Sequence, residues 1–193
     1  MFEQSKSAKR RFNDGNFHTR YFVGNAIDIG AGPDSIARYK HVFAGLRDVF
    51  VLDQHNGDAQ TLEGHQDRVY DLVHSSHCLE HLKDPYAALT SWLRVCKIGG
   101  HIVFVVPDWS LYERENWPSI FSGEHLWAFT MEYAKAGGRV LHLPSMFCTP
   151  DFSNVSVERI MLVRDFFDDN YFQDQTLQPN PECAIEIVLR RTK

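Results

Sequence analysis

The segment Asp28-Ile-Gly30-Ala31-Gly32-Pro33 places two glycines in one turn after a short apolar run. Glycine lets the backbone come close to a ligand where a side chain would obstruct it. Asp53, roughly 20 residues further on, ends a second apolar run and can accept hydrogen bonds from both hydroxyls of a ribose. The turn alone is a weak signal, but turn and acid together point to a nucleoside-bearing cofactor. A second set of chemical residues, His77, Glu80, His81 and Asp108, follows two later apolar runs. An imidazole or carboxylate there can take the proton of an acceptor hydroxyl. His74-x-x-His77-Cys78-x-x-His81 also carries metal-ligand residue types. His74 belongs to a strand and His77 to the turn after it, so the four should not converge, and no metal is expected.

These residues need elements to hold them. Asn25–Ile29, Val49–Asp53, Tyr70–His74 and His101–Val106 read as short buried strands, with later strands at Ile160–Val163 and Ala184–Leu189. Ile36, Tyr39, Val42, Phe43 and Leu46 share a helical spacing after Pro33-Asp-Ser35. Asp84 and Pro85 open a helix that Gly99-Gly100 stops, and another helix is expected across Leu126–Ala136. Strand–helix–strand alternation predicts an α/β fold: a three-layer, doubly wound, mostly parallel sheet with helices on both faces. Ligands bind beyond the carboxyl ends of such strands, where strand order reverses. The residues that matter are therefore those just after each strand.

Composition narrows the partners. The 193 residues are 44% apolar and 23% charged, which fits an ordinary globular chain and excludes a disordered or fibrous one. One domain is expected over 1–193: a basic extension over 1–20, a cofactor-binding half over 21–108 and a substrate-side half over 109–193. No apolar run reaches the roughly 20 residues of a membrane span. The first 20 residues lack the apolar stretch of a secretory signal, so a cytoplasmic location is expected. The net charge of −5 lacks the basic footprint of a nucleic-acid binder, and a small-molecule substrate is expected instead. The local cluster Lys6, Lys9, Arg10 and Arg11 could touch phosphate, although a solvated, frayed terminus is the expected reading. Four scattered cysteines with no Cys-x-x-Cys pair suit a reducing compartment.

Asp28-x-Gly30-x-Gly32 resembles the first motif of the class I S-adenosylmethionine-dependent methyltransferases. Tyr70-Asp-Leu-Val-His-Ser-Ser-His-Cys-Leu-Glu-His-Leu-Lys-Asp-Pro85 is similar to their fourth-strand segment. Leu93-Arg-Val-Cys-Lys-Ile-Gly-Gly100, with Val106-Pro-Asp108 after it, resembles their Gly-Gly turn and fifth strand. The resemblance implies a Rossmann-like methyltransferase fold and S-adenosyl-L-methionine as cofactor. It implies cofactor contacts at Asp28, Gly30, Ala31, Gly32, Asp53, Gln54, Asp58, Ala59, Ser76 and His77. The family usually has a helix and a strand between the positions of Asp53 and Asp58, where this chain has only Gln54-His-Asn-Gly57, so a sheet shortened at one edge is expected. Methyl transfer to oxygen on a sugar or secondary metabolite is the favoured reaction, with His81 and then His77 as base. Asp108, Trp109, Arg114 and His125 are the expected substrate contacts. An NAD-dependent oxidoreductase is disfavoured because Ser35 stands where the dinucleotide fingerprint has its third glycine. A non-catalytic scaffold that keeps the cofactor is the remaining alternative.

Overall fold

A computed structural model describes residues 3–193, so Met1 and Phe2 of the basic extension lie outside the described residues. Strands β1 (Gly24–Ile29), β2 (Leu46–Leu52), β3 (Tyr70–Ser76) and β4 (Cys96–Pro107) are joined later in the chain by β7 (Val155–Val163) and β8 (Ala184–Arg191). They form one sheet in the order β2-β1-β3-β4-β8-β7. β2, β1, β3 and β4 run parallel, and β8 is antiparallel to both β4 and β7. A small pair, β5 (Ala128–Thr130) and β6 (Val140–His142), stands apart. The expected mostly parallel, doubly wound sheet is present. Residues 53–69 form turns only, so β2 is the sheet edge.

Alternation along the strands sorts the core into two layers. Ile27, Ile29, Val73, Phe104 and Ile187 face α3 (Pro85–Val95), whose Trp92 and Leu89 are fully buried. Asp84 caps this helix by accepting from Tyr86 N and Ala87 N, and Pro85 occupies the first turn, where its missing N–H costs nothing. Ala26, Leu72, Val103 and Val188 face the other way, against Ala8 of α1 (Glu3–Asn13) and Phe17 and Tyr21 of α2 (Phe17–Tyr21).

Three expectations are corrected. The basic N-terminal cluster is not a solvated terminus: α1 packs on the sheet, and Arg11 is 0% exposed. Its Nε donates to Glu186 Oε2 at 2.7 Å, and Arg10 reaches Glu186 and Glu182. The apolar spacing over Ile36–Leu46 buries Ile36, Phe43 and Leu46 as a helix would, yet only a short 3₁₀ turn forms over Ile36–Tyr39. Local side chains compete with the helical ladder there: Asp28 Oδ2 takes the Ile36 N–H at 2.8 Å, and Tyr39 OH bonds Asp34. The helix expected across Leu126–Ala136 is replaced by β5 and a 3₁₀ turn at Tyr133–Lys135. The Leu126 and Trp127 N–H groups donate to Glu80 O, and β5 pairs with β6. Tertiary partners have claimed the backbone.

Glu186, fully buried on β8, has its carboxyl held down at about 2: burial alone would raise it, but Arg11 and Arg10 outweigh that. Because the folded value lies below the unfolded one, this stabilisation is complete above about pH 4.5 and is lost as pH falls toward about 2. Arg11→Met should cost about 3–5 kcal/mol in urea unfolding at neutral pH, since it strips a partner from a buried charge. Glu186→Gln should flatten the acid limb of the stability curve.

Candidate active site

Strand order reverses between the parallel neighbours β1 and β3: β1 leads outward to β2, and β3 leads the other way to β4. Their carboxyl ends therefore open a crevice, and the first turn shapes it. Gly30 has φ +66°, and a Cβ there would sit 2.5 Å from Cys78 Sγ, so loop packs on loop with no room for a side chain. Gly32 has φ +51° and open space where a Cβ would be. Asp28, buried on β1, supports the loop through Ile36 N and bonds His74 Nδ1 at 2.6 Å with its other oxygen. His74 Nε2 lies 3.1 Å from Arg11 Nη1, an obligate donor, so the imidazole accepts there and donates to Asp28. Burial lowers the His74 pKa, the direction that favours this neutral form.

Two cavities meet at Gly30, His77 and His81. One, of about 650 Å³, is lined by Asp53, Gln54, Asp58, Ala59 and Leu82. The Asp53 carboxylate is 29% exposed at the end of β2; its Oδ1 accepts from Gln54 N, and its Oδ2 lies 4.0 Å from His55 Nδ1. Asp58 spends both oxygens on its own turn, accepting from Gln60 N and Thr61 OH. The other cavity, of about 320 Å³, is lined by Asp28, Gly30, Ala31, Gly32, Ser76, His77, Glu80, His81, Tyr112 and His125, with Glu3 and Gln4 reaching in from α1. His77 holds φ +53°, and burial pushes its imidazole down to about 3, so it is neutral.

His125 reaches the second cavity because its loop is pinned by Leu126 N and Trp127 N on Glu80 O. Its Nδ1 lies 2.7 Å from the buried Glu113 carboxylate. Burial opposes a charge on His125, but Glu113 and Glu80 outweigh it and raise its pKa. Burial lowers that of His81, whose Nδ1 sits 3.1 Å from Glu124 O. Burial also pushes Glu80 up to about 7.

Thus the structure gathers Asp28, Gly30, Ala31, Gly32, Ser76, His77, His81 and His125 around one cavity, and Asp53, Gln54, Asp58 and Ala59 around its neighbour. Three expected substrate contacts, Asp108, Trp109 and Arg114, line neither of these two cavities. Asp108 is buried and caps the turn after β4, accepting from Ser110 N and Leu111 N. Trp109 packs with Ala128 and Val140. Arg114 bonds Tyr171 O and lies over the Phe167 ring. Glu113, Glu3 and Gln4 are not singled out by the sequence. Their place depends on long-range packing that no local motif announces.

The family pattern described as a methyltransferase domain matches residues 12–136. The chain belongs to the methyltransferase-domain family. Its fold is that of the class I S-adenosylmethionine-dependent methyltransferases. One such enzyme from Archaeoglobus fulgidus superposes with a TM-score of 0.62 over 98% of this chain and 94% of its own, at 17% identity. Another from Mesorhizobium loti gives 0.56 over 88% and 92%, at 15% identity. The Pectobacterium carotovorum ubiquinone biosynthesis O-methyltransferase is 31% identical over 78 residues, which are 40% of this chain and 31% of that protein. S-adenosylmethionine is the cofactor that membership implies. The residues fit it: bare backbone at Gly32 and a half-exposed Asp53 carboxylate at adjoining cavities. In this methyltransferase, Gly30→Ala should cost about 1–3 kcal/mol in thermal unfolding and weaken cofactor affinity, through both the strained φ and the Cys78 clash. Unchanged melting would mean the two loops part without penalty.

Proposed function

We propose that this methyltransferase acts on a hydroxyl oxygen of a small-molecule acceptor. The observation that carries the reading is the meeting of two unlike cavities at Gly30, His77 and His81. The acidic cavity at the end of β2 suits a nucleoside, with Asp53 for the ribose hydroxyls and Ala59 and Leu82 beside the base. The histidine-rich cavity suits the acceptor. When bound, S-adenosylmethionine supplies a methyl group on a positively charged sulfur. The chain's part is alignment for in-line displacement, which carries much of the rate in such reactions, together with removal of one proton. His81 is the imidazole placed to take it, and burial favours its neutral, accepting form, while His77, pushed down to about 3, is neutral but a far weaker base.

Choice of oxygen is supported by the name of the Pectobacterium relative, and that match spans 31% of the relative's length, so its quinone substrate is not carried over. A small acceptor rather than nucleic acid is supported by the net charge of −5. Among the described residues no helix is long and apolar enough to cross a membrane.

Asp53→Ala should weaken S-adenosylmethionine binding by about 1.5–3 kcal/mol, because a charged acceptor to two hydroxyls is lost. Calorimetric titration of the folded variant checks this, with NAD as the control ligand. Unchanged affinity removes Asp53 from the site. Turnover of a hydroxylated acceptor panel, with amines alongside, tests the oxygen reading: methylated amines alone would overturn it.

A further inference from the structure

We propose that Glu80, His81 and His125 form a binding site for a divalent transition-metal ion of the zinc type, at the acceptor side of the crevice. One donor atom from each residue lies within 4.8 Å of the other two. Ligands of a tetrahedral zinc ion, at about 2.0–2.2 Å, stand roughly 3.3 Å apart, so side-chain movements of about an ångström close the set. Both rings are already turned for the task. His125 Nδ1 is held by the Glu113 carboxylate at 2.7 Å and His81 Nδ1 by the Glu124 carbonyl at 3.1 Å, which leaves Nε2 of each as the donor. An oxygen acceptor behind the far ring nitrogen is the usual support of a metal-bound histidine.

Glu80 supplies an independent observation. It is 1% exposed, and neither carboxylate oxygen has a hydrogen-bond partner among the described residues. A carboxylate so placed is costly unless it is paired or coordinates a cation. Two imidazoles and one carboxylate make a three-ligand set that leaves a position open. The three side chains line the same cavity as His77, Tyr112 and Ser122. With His81 Nε2 given to the ion, an acceptor hydroxyl entering the open position would lose its proton to solvent rather than to His81, and the rest of the reading under Proposed function stands. The oxygen would then form its bond to the methyl carbon as the sulfur–methyl bond breaks and sulfur keeps the electron pair. The ion's share is to stabilise the oxyanion.

The test uses untagged full-length protein, stripped with chelator and titrated with Co²⁺ alone. One equivalent should bind, give the visible bands of a low-symmetry site, and be displaced by Zn²⁺. Glu80→Gln, His81→Ala and His125→Ala should each weaken Co²⁺ binding at least tenfold, while His41→Ala, at an exposed position, should not. Circular dichroism identifies any variant that fails to fold, and the remaining ones carry the comparison. No bands, or bands that survive in the folded variants, would overturn the ion site. S-adenosylmethionine titration of the stripped wild-type protein is read separately: affinity there without Co²⁺ binding sinks only the ion, and Co²⁺ binding without cofactor affinity sinks only the cofactor assignment.

Discussion

Arg11 sits under the sheet with no exposed surface and bonds Glu186 on β8 at 2.7 Å, and the rest of the molecule is arranged around that contact. A guanidinium cannot shed its proton, so its burial calls for acceptors, and Nε and Nη1 have them while Nη2 is left without one among the described residues. They come from Glu186, from Gln4 on its own helix and from His74 on β3, while the rings of Phe17 and Phe22 cover its faces. His74 passes the constraint to Asp28 on β1. One polar chain thus runs from the N-terminal helix across three strands of an otherwise apolar sheet face.

That chain explains how so little helix can shape the crevice. The segment after β1 forms only short 3₁₀ turns, so it cannot hold the glycine loop by itself. Asp28 holds it from below through Ile36 N, and α1 buttresses it from the side through Asp34, which accepts from Ser5 N. The same helix brings Glu3 and Gln4 to the cavity wall. α1 therefore packs where a longer helix after β1 would otherwise be needed, and the charge pairs on Arg10 and Arg11 fix its position.

Strands and the capped helix were legible because their signals are local. Short apolar runs place β1, β3 and β4, and Asp84-Pro85 announces α3. The turns that shape the two cavities were equally legible, since Gly30 and Asp53 each follow a strand directly. What failed was decided at long range. Arg10 and Arg11 look like a solvated cluster until Glu182 and Glu186, more than 170 residues away, are folded against them. Leu126–Ala136 has helical spacing, but Glu80 O and β6 take its backbone donors first. Asp108 follows β4 as a ligand residue would, yet its carboxylate turns back on its own loop. Position after a strand selects candidates; hydrogen-bond partners decide among them.

Two buried glutamates show the same distinction in energetic form. Glu186 and Glu80 are alike in having almost no exposed surface, yet their carboxyls are driven opposite ways, one to about 2 and the other to about 7. Burial opposes the charge in both. At Glu186 two guanidiniums overcome it, and the group is spent on holding α1 to the sheet. At Glu80 both oxygens lack hydrogen-bond partners among the described residues, with His81 Nε2 3.9 Å from Oε1, and the nearby imidazoles have hydrogen-bonded their Nδ1 atoms elsewhere. A fully partnered buried charge is accounted for by the fold. An unpartnered one, at the wall of a cavity and beside two oriented histidines, has electrostatic demand left over, and perturbed groups of that kind gather where chemistry is done.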